Sequence, residues 1–168
     1  MAAPQRKQRV KNSTTIVIDD IKFTSKAEAY YYTILKQQLD NGEIEQLKLQ
    51  EPFELQPQFK KCQCHGCDFI WIRPPDEKLP DYKRYYTARE CPVCGTELKL
   101  HREMTYICDF LVTDLEGLEH VIDVKSSQFF QTEIFKMKKK IFEFRFPEKL
   151  LEEVYPKVPK GWGTEKVI

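Results

Sequence analysis

Apolar positions along this chain fall into short runs, and two of those runs keep a helical period. Ser25-Lys26-Ala27-Glu28 has the form of a capping box, in which hydroxyl and carboxylate satisfy the free N–H groups of a helix start. Ala27, Tyr31, Ile34 and Leu35 then recur at helical spacing until Asn41-Gly42 stops the run. Ile134, Met137, Ile141 and Phe144 mark a second amphipathic helix that ends before Pro147. The rest of the pattern is extended. Residues 15–18 and 21–23 flank Asp19-Asp20 as a short hairpin. Ile44 to Phe59 alternates loosely, with breaks at Pro52 and Pro57, and reads as one or two extended segments. Thr105 to Val112 reads as a strand, Asp114 to Gly117 as a turn, Glu119 to Lys125 as the returning strand of a hairpin, and Leu150 to Tyr155 as a last short strand.

This order predicts a mixed α/β (α+β) layout, with helices packed on a sheet. A chain of 168 residues with 41% hydrophobic content can bury one substantial core and at most a small satellite. The main core is expected at 14–59 and 102–156. Residues 60–101 hold five of the six cysteines and keep no period, and so read as an insertion. Residues 1–13 are a basic arm without apolar periodicity, and 157–168 a tail. No apolar run approaches the ~20 residues of a membrane helix, and the N-terminus lacks the apolar core of a secretory signal, so a soluble cytoplasmic protein with reduced thiols is expected. Lys and Arg number 27 against 26 Asp and Glu. With net charge +1, any surface for nucleic acid must come from segregated charge, since overall basicity is lacking.

In Val121-Ile122-Asp123-Val124-Lys125, side chains alternate faces, so Asp123 and Lys125 point one way while Ile122 and Val124 point the other. A tight hairpin through Asp114 to Gly117 brings Asp109 beside Asp123. Carboxylates of this kind hold Mg²⁺ or Mn²⁺, which neutralises a phosphodiester and acidifies a water, and a neighbouring lysine stabilises charge on phosphorus. The backbone carbonyl of Val124 is a further candidate ligand. An isolated D-x-K triplet is common and means little by itself. Here both acids sit among apolar strand residues, where an unpaired carboxylate is costly. Glu28 at the third helical position is already explained by the capping box, yet Tyr31, Tyr32 and Leu35 place it on an apolar face.

The string FTSKAEAYYYTILKQQLDNGEIEQLKLQEPFELQP, followed by YICDFLV, VIDVKS and the lysine-rich FKMKKKIFEFRFP, resembles small phage and prophage proteins of the PD-(D/E)XK nuclease superfamily. It is more distantly similar to the endonuclease subunit of heteromeric transposases. The resemblance implies a restriction-endonuclease-like core, metal held by Glu28, Asp109 and Asp123, and catalysis assisted by Lys125. It departs from the superfamily pattern at Cys108, where a proline is expected, and has Asp in place of Glu at 123. The function implied is a Mg²⁺-dependent DNA endonuclease, phage or prophage encoded, acting on branched or structured DNA in recombination, replication or packaging. Its partners would be DNA, a second copy of the chain, and phage replication or recombination proteins. The alternative is a zinc-containing DNA-binding or adaptor protein that keeps the scaffold without turnover.

Lys136, Lys138, Lys139, Lys140 and Arg145 share the second helix. A charged run is ordinarily a solvated face. On the nuclease reading Lys136 and Lys140, one turn apart, contact DNA phosphates. Gln50 and Gln56 are candidates to line the site. Within the insertion, Cys64-His65-Gly66-Cys67 and Cys91-Pro92-Val93-Cys94 form two Cys-x2-Cys pairs, a spacing that lets both thiolates of a pair bind one tetrahedral ion. Four thiolates make a closed, structural zinc site, with Cys62 as substitute ligand and His65 and His101 as weaker ones. Cys108 reads as a buried strand residue. Trp71, Arg73, Lys83, Arg84, Tyr85 and Tyr86 offer a basic and aromatic surface suited to nucleic acid.

Overall fold

In a computed structural model, which describes residues 15–76, 78–79, 82–127 and 132–163, the chain is a mixed α+β protein, with several small sheets and three helices among the described residues. The basic arm expected at 1–13 and the end of the tail lie outside the described residues. The chain divides into two compact units. One comprises residues 1–51, 108–136 and 148–168, the other 52–107 and 137–147. The boundaries expected at 60 and 101 therefore fall inside the second unit.

The first unit opens with a hairpin of β1 (Ile16–Ile18) and β2 (Ile21–Phe23). Its two turn residues, Asp19 and Asp20, take φ of 51° and 63°, the left-handed pair that a tight hairpin demands and Asp tolerates. Ser25 caps α1 (Lys26–Asp40), its hydroxyl accepting the Glu28 N–H at 3.3 Å. Ala27, Ala29, Tyr32 and Leu35 are buried, while Tyr31 and Ile34 are only half-buried. Tyr32 can turn inward because its hydroxyl donates to Asp19 Oδ2 at 2.9 Å, which satisfies the one polar atom on the ring. The chain then runs through β3 (Gln46–Leu49) and leaves the unit at Glu51.

The second unit holds β4 (Pro52–Gln56), β5 (Phe59–Cys62), β6 (Ile70–Ile72), the short α2 (Tyr82–Thr87), β7 (Leu98–His101) and β8 (Met104–Ile107). β5 pairs antiparallel with β6 and β7, and β4 with β8. Trp71, expected at the surface, is 8% exposed and meets the rings of Tyr82 and Tyr86. Its large apolar ring is better buried in so small a unit, where little else can supply a core. Lys60 is buried too, its ammonium donating to the carbonyls of Tyr86 at 2.5 Å and Ala88 at 2.6 Å. Those carbonyls sit at and just past the C-terminal end of α2, where a cation is favoured.

The stretch read as one strand from Thr105 to Val112 is two, β8 and β9 (Phe110–Thr113), separated by a bend at Cys108-Asp109. β10 (Glu119–Val124) returns beside β9. α3 (Glu133–Arg145) leads to β11 (Leu150–Val154), which lies parallel to β10, a pairing that requires a crossover between the two strands. The main sheet thus has the order β11-β10-β9-β3. Phe110, Val112, Ile122 and Val124 point to the side where α1 and the hairpin pack. By alternation Asp123 points to the other side.

Candidate functional site

The three strands β3, β9 and β10 part company around Asp109. The ladder of β9 and β10 ends at the Ile122–Phe110 pair, beyond which Asp109 lies opposite Asp123. There the Asp109 N–H donates to the Ile122 carbonyl at 3.1 Å, and the Val124 N–H donates to Asp109 Oδ2 at 2.6 Å instead of to a main-chain carbonyl. On the other flank, the Gln50 N–H donates to the Asp109 carbonyl at 3.1 Å, with Gln50 at φ 52°. Asp109 is thus held by its own backbone on both sides and by one charge-assisted bond to its side chain.

Asp123 is 5% exposed, and its Oδ2 pairs with the Lys125 ammonium two residues on. Lys125 is oriented in turn by the Phe135 ring, whose centroid lies 4.1 Å from Nζ, and by its N–H bond to the Val154 carbonyl at 2.8 Å. Glu28, in the first turn of α1, lines a cavity together with Asp109. Loss of solvation raises its pKa above the usual carboxylate value, the Ser25 bond opposing and the Asp123 charge reinforcing. Asp109 is pushed up to about 7, first by burial and further by the charges of Glu28 and Asp123, against the pull of the Val124 N–H and of Lys125. Glu28, Asp109, Asp123 and Lys125 therefore feel one another, with negative charge in excess. Glu153, paired in register with Asp123 on β11, adds another acid, which accepts from the Tyr155 hydroxyl at 2.7 Å.

That cavity, of about 330 Å³, opens beside this patch. Glu28, Asp109, Gln50 and Lys22 supply its polar lining, and Ile21, Phe23, Leu49 and Phe110 its apolar walls. Gln56 belongs to the second unit. Val124 enters the site through its N–H.

In the second unit the thiols of Cys62, Cys67, Cys91 and Cys94 lie within 4.8 Å of one another, close enough to hold one metal ion. The set differs from the one expected by spacing: Cys62 takes the place of Cys64. Cys62 ends β5 and faces inward at 2% exposure, whereas Cys64 lies past the strand and offers its N–H to Cys62 Sγ at 3.5 Å. Strand direction, which residue spacing does not report, decides which thiol points in. Cys62 Sγ is 3.4 Å from Cys94 Sγ, and Cys67 Sγ is 3.6 Å from Cys91 Sγ. Bonds from Thr96 lower the Cys94 thiol to about 6. His65 is exposed, and His101 is stacked on Phe59 with centroids 4.4 Å apart. Cys108 is fully buried, its thiol against the Glu51 carbonyl.

A family model matches residues 8–87 and 84–160, nearly the whole chain. The chain belongs to DUF1064, a family described as a protein of unknown function. No curated protein and no solved structure matches it.

On the α3 helix of this DUF1064 chain, Lys136 is exposed and bonded to Glu133 at 2.9 Å, and Lys140 is exposed. Lys138 is committed to the Thr105 carbonyl at 2.6 Å, and Lys139 lies 3.9 Å from Glu143. Of the other basic residues singled out, Arg73 lies 3.5 Å from Glu54, and Arg84 sits over the Tyr85 ring. No helix among the described residues is long and apolar enough to cross a membrane.

Proposed function

We propose that this DUF1064 chain is a divalent-metal-dependent DNA endonuclease of the PD-(D/E)XK type, with Glu28, Asp109, Asp123 and Lys125 as its active site. One observation carries the reading: Asp109 and Asp123 converge at the parting of two strands, next to a lysine, with more negative charge than that lysine balances. The donor set fits Mg²⁺ or Mn²⁺, which binds through one or two carboxylates and fills its remaining positions with water and substrate phosphate. The group bound there would neutralise a phosphodiester and acidify a water.

The protein's own residues do the rest. Asp109 and Asp123 hold the cation, with Glu28 and the Val124 carbonyl completing the set. Lys125, held by Asp123 and Phe135, presents a positive charge to the oxygen on which charge develops during phosphodiester cleavage. Lys136 and Lys140 contact backbone phosphates. The four thiols of the second unit hold a structural zinc, since four sulfur donors leave no open position. The reading places the protein in the cytoplasm, acting on branched or structured DNA.

Purified protein incubated with labelled duplex, flap and four-way-junction DNA in Mg²⁺ or EDTA tests this. Cleavage that needs the metal and disappears in Asp123→Ala is expected. Identical behaviour of wild type and Asp123→Ala on every substrate leaves the enzyme reading without support and favours a DNA-binding role on the same scaffold.

A further inference from the structure

The cavity beside the carboxylates has more than a metal and a phosphate require. Building on the nuclease reading, we infer that it receives one unpaired DNA nucleotide, which makes strands with unstacked bases the preferred substrate class. Of the residues that line the cavity, Glu28 and Asp109 serve the cation, whereas Ile21, Phe23, Leu49 and Phe110 are apolar and have no part in holding a metal or a phosphate. Apolar walls next to charged groups suit a molecule with a flat apolar body and polar edges, which describes a nucleobase. Phe23 and Phe110, 5% and 1% exposed, back the cavity from the core and hold the half-buried Ile21 and Leu49 in place as the apolar surface that a base meets, at little cost in ordering when it enters.

Two polar groups complete the fit. Gln50 lines the cavity, and its side-chain amide makes no hydrogen bond among the described residues. A primary amide carries both a donor and an acceptor, the pair that base edges present. Gln50 also holds φ at 52°, a region in which a glutamine is strained and a glycine would not be. Lys22, exposed on β2 and lining the same cavity, supplies the positive charge for the nucleotide's phosphate. At about 330 Å³ the space stands at the small end of the ~300–1,000 Å³ range of ligand pockets, enough for one nucleotide and too little for a base pair. A base still stacked and paired must first be extruded, at a cost that an unpaired strand does not meet.

The test compares wild type with Gln50→Gly, both as the whole chain. Glycine adopts the left-handed backbone freely, so the change removes the amide while leaving the bend at Asp109 in place. Cleavage with Mg²⁺ is followed on a single strand, a flap and the fully paired duplex of one sequence. Binding is followed in EDTA with 2-aminopurine placed at successive positions near the junction of the flap. Wild type should cut the unpaired substrates ~10-fold faster than the duplex, Gln50→Gly should lower that ratio several-fold, and 2-aminopurine emission should change at one position only. Metal-dependent cleavage with equal rates on all substrates, or with a ratio that Gln50→Gly leaves untouched, overturns the cavity assignment and leaves the nuclease reading standing. Preferential, Gln50-dependent binding of unpaired DNA without cleavage overturns the nuclease reading and upholds the cavity.

Discussion

The two clusters of ligating side chains solve the same electrostatic problem in opposite ways. Four thiols in the second unit crowd within 4.8 Å, three of them buried, and one cation can satisfy them all. In the first unit Glu28 and Asp109 line a cavity, Asp123 is buried against Lys125, and the Asp109 carboxyl is pushed up to about 7. A closed set of four soft donors holds a fold together. On the proposed nuclease reading, an open set of hard donors keeps a place for substrate, and its uncompensated charge is the cost of that opening.

The largest effect should come from closing or emptying the thiol site. Chelation of zinc, or Cys62→Ser, should release about one zinc per chain and melt the second unit, because structural zinc contributes on the order of 10 kcal/mol of folding free energy in small domains. Cys64→Ser should keep its zinc. Metal analysis with circular dichroism on both variants decides the matter, and zinc loss from Cys64→Ser with retention by Cys62→Ser would restore the ligand set that spacing suggests. The open site should respond differently. Lys125→Ala should lower the cleavage rate by ~10²–10³-fold and lower the melting temperature of the first unit, because the buried Asp123 carboxylate loses its cation, while the second unit keeps its zinc.

The contrast also explains what the sequence could and could not disclose. Helical spacing and the Ser25 cap located α1, and the strand alternation around Asp123 located β10, because local patterns encode local structure. The mixed α+β class followed from their order. The break between β8 and β9 was hidden: Thr105 to Val112 is apolar enough to read as continuous, and only pairing with separate partners, β4 for one half and β3 for the other, shows the bend at Asp109. Cys62 was misranked for a related reason. Its inward direction comes from pairing with Leu98 across β5 and β7, and Cys-x2-Cys spacing carries no such information. The cavity walls Phe23 and Phe110, far apart in sequence, had no local signal at all.

A smaller effect separates charge from structure at the open site. Asp109 has its pKa raised in the folded state, so folding favours the protonated form, and stability should fall as pH rises from the unfolded carboxyl value of about 4 through about 7. Asp109→Asn keeps an oxygen for the Val124 N–H and removes the charge. It should melt higher than wild type above pH 7 in metal-free buffer, by a few degrees at ~2–4 °C per kcal/mol for a chain of this size. Added Mg²⁺ should raise the wild-type melting temperature and leave that of Asp109→Asn where it was. A variant that melts lower at every pH would mean that the carboxylate is structurally satisfied and that no excess charge awaits a cation.

His120 shows a third way to balance acids, with a proton in place of a metal. Its Nε2 lies 2.9 Å from Asp114 Oδ2 and its Nδ1 2.7 Å from Glu152 Oε1, so the ring ties the β9–β10 turn to β11. The bonds to Asp114 and then Glu152 raise its pKa above the usual value near 6.5. A histidine with a raised folded pKa contributes fully below the unfolded value and loses that contribution as pH climbs through the folded one. Wild type should therefore lose on the order of 1 kcal/mol over that interval, a size set by the partial exposure of all three groups. His120→Gln, which can still hydrogen-bond but cannot charge, should flatten that part of the profile measured by urea unfolding. The His120 slope has the same sign as that of Asp109, since both groups have a raised folded pKa. An unchanged profile at and above the usual histidine range in His120→Gln would show that the ring bridges its acids as a neutral hydrogen-bonding group.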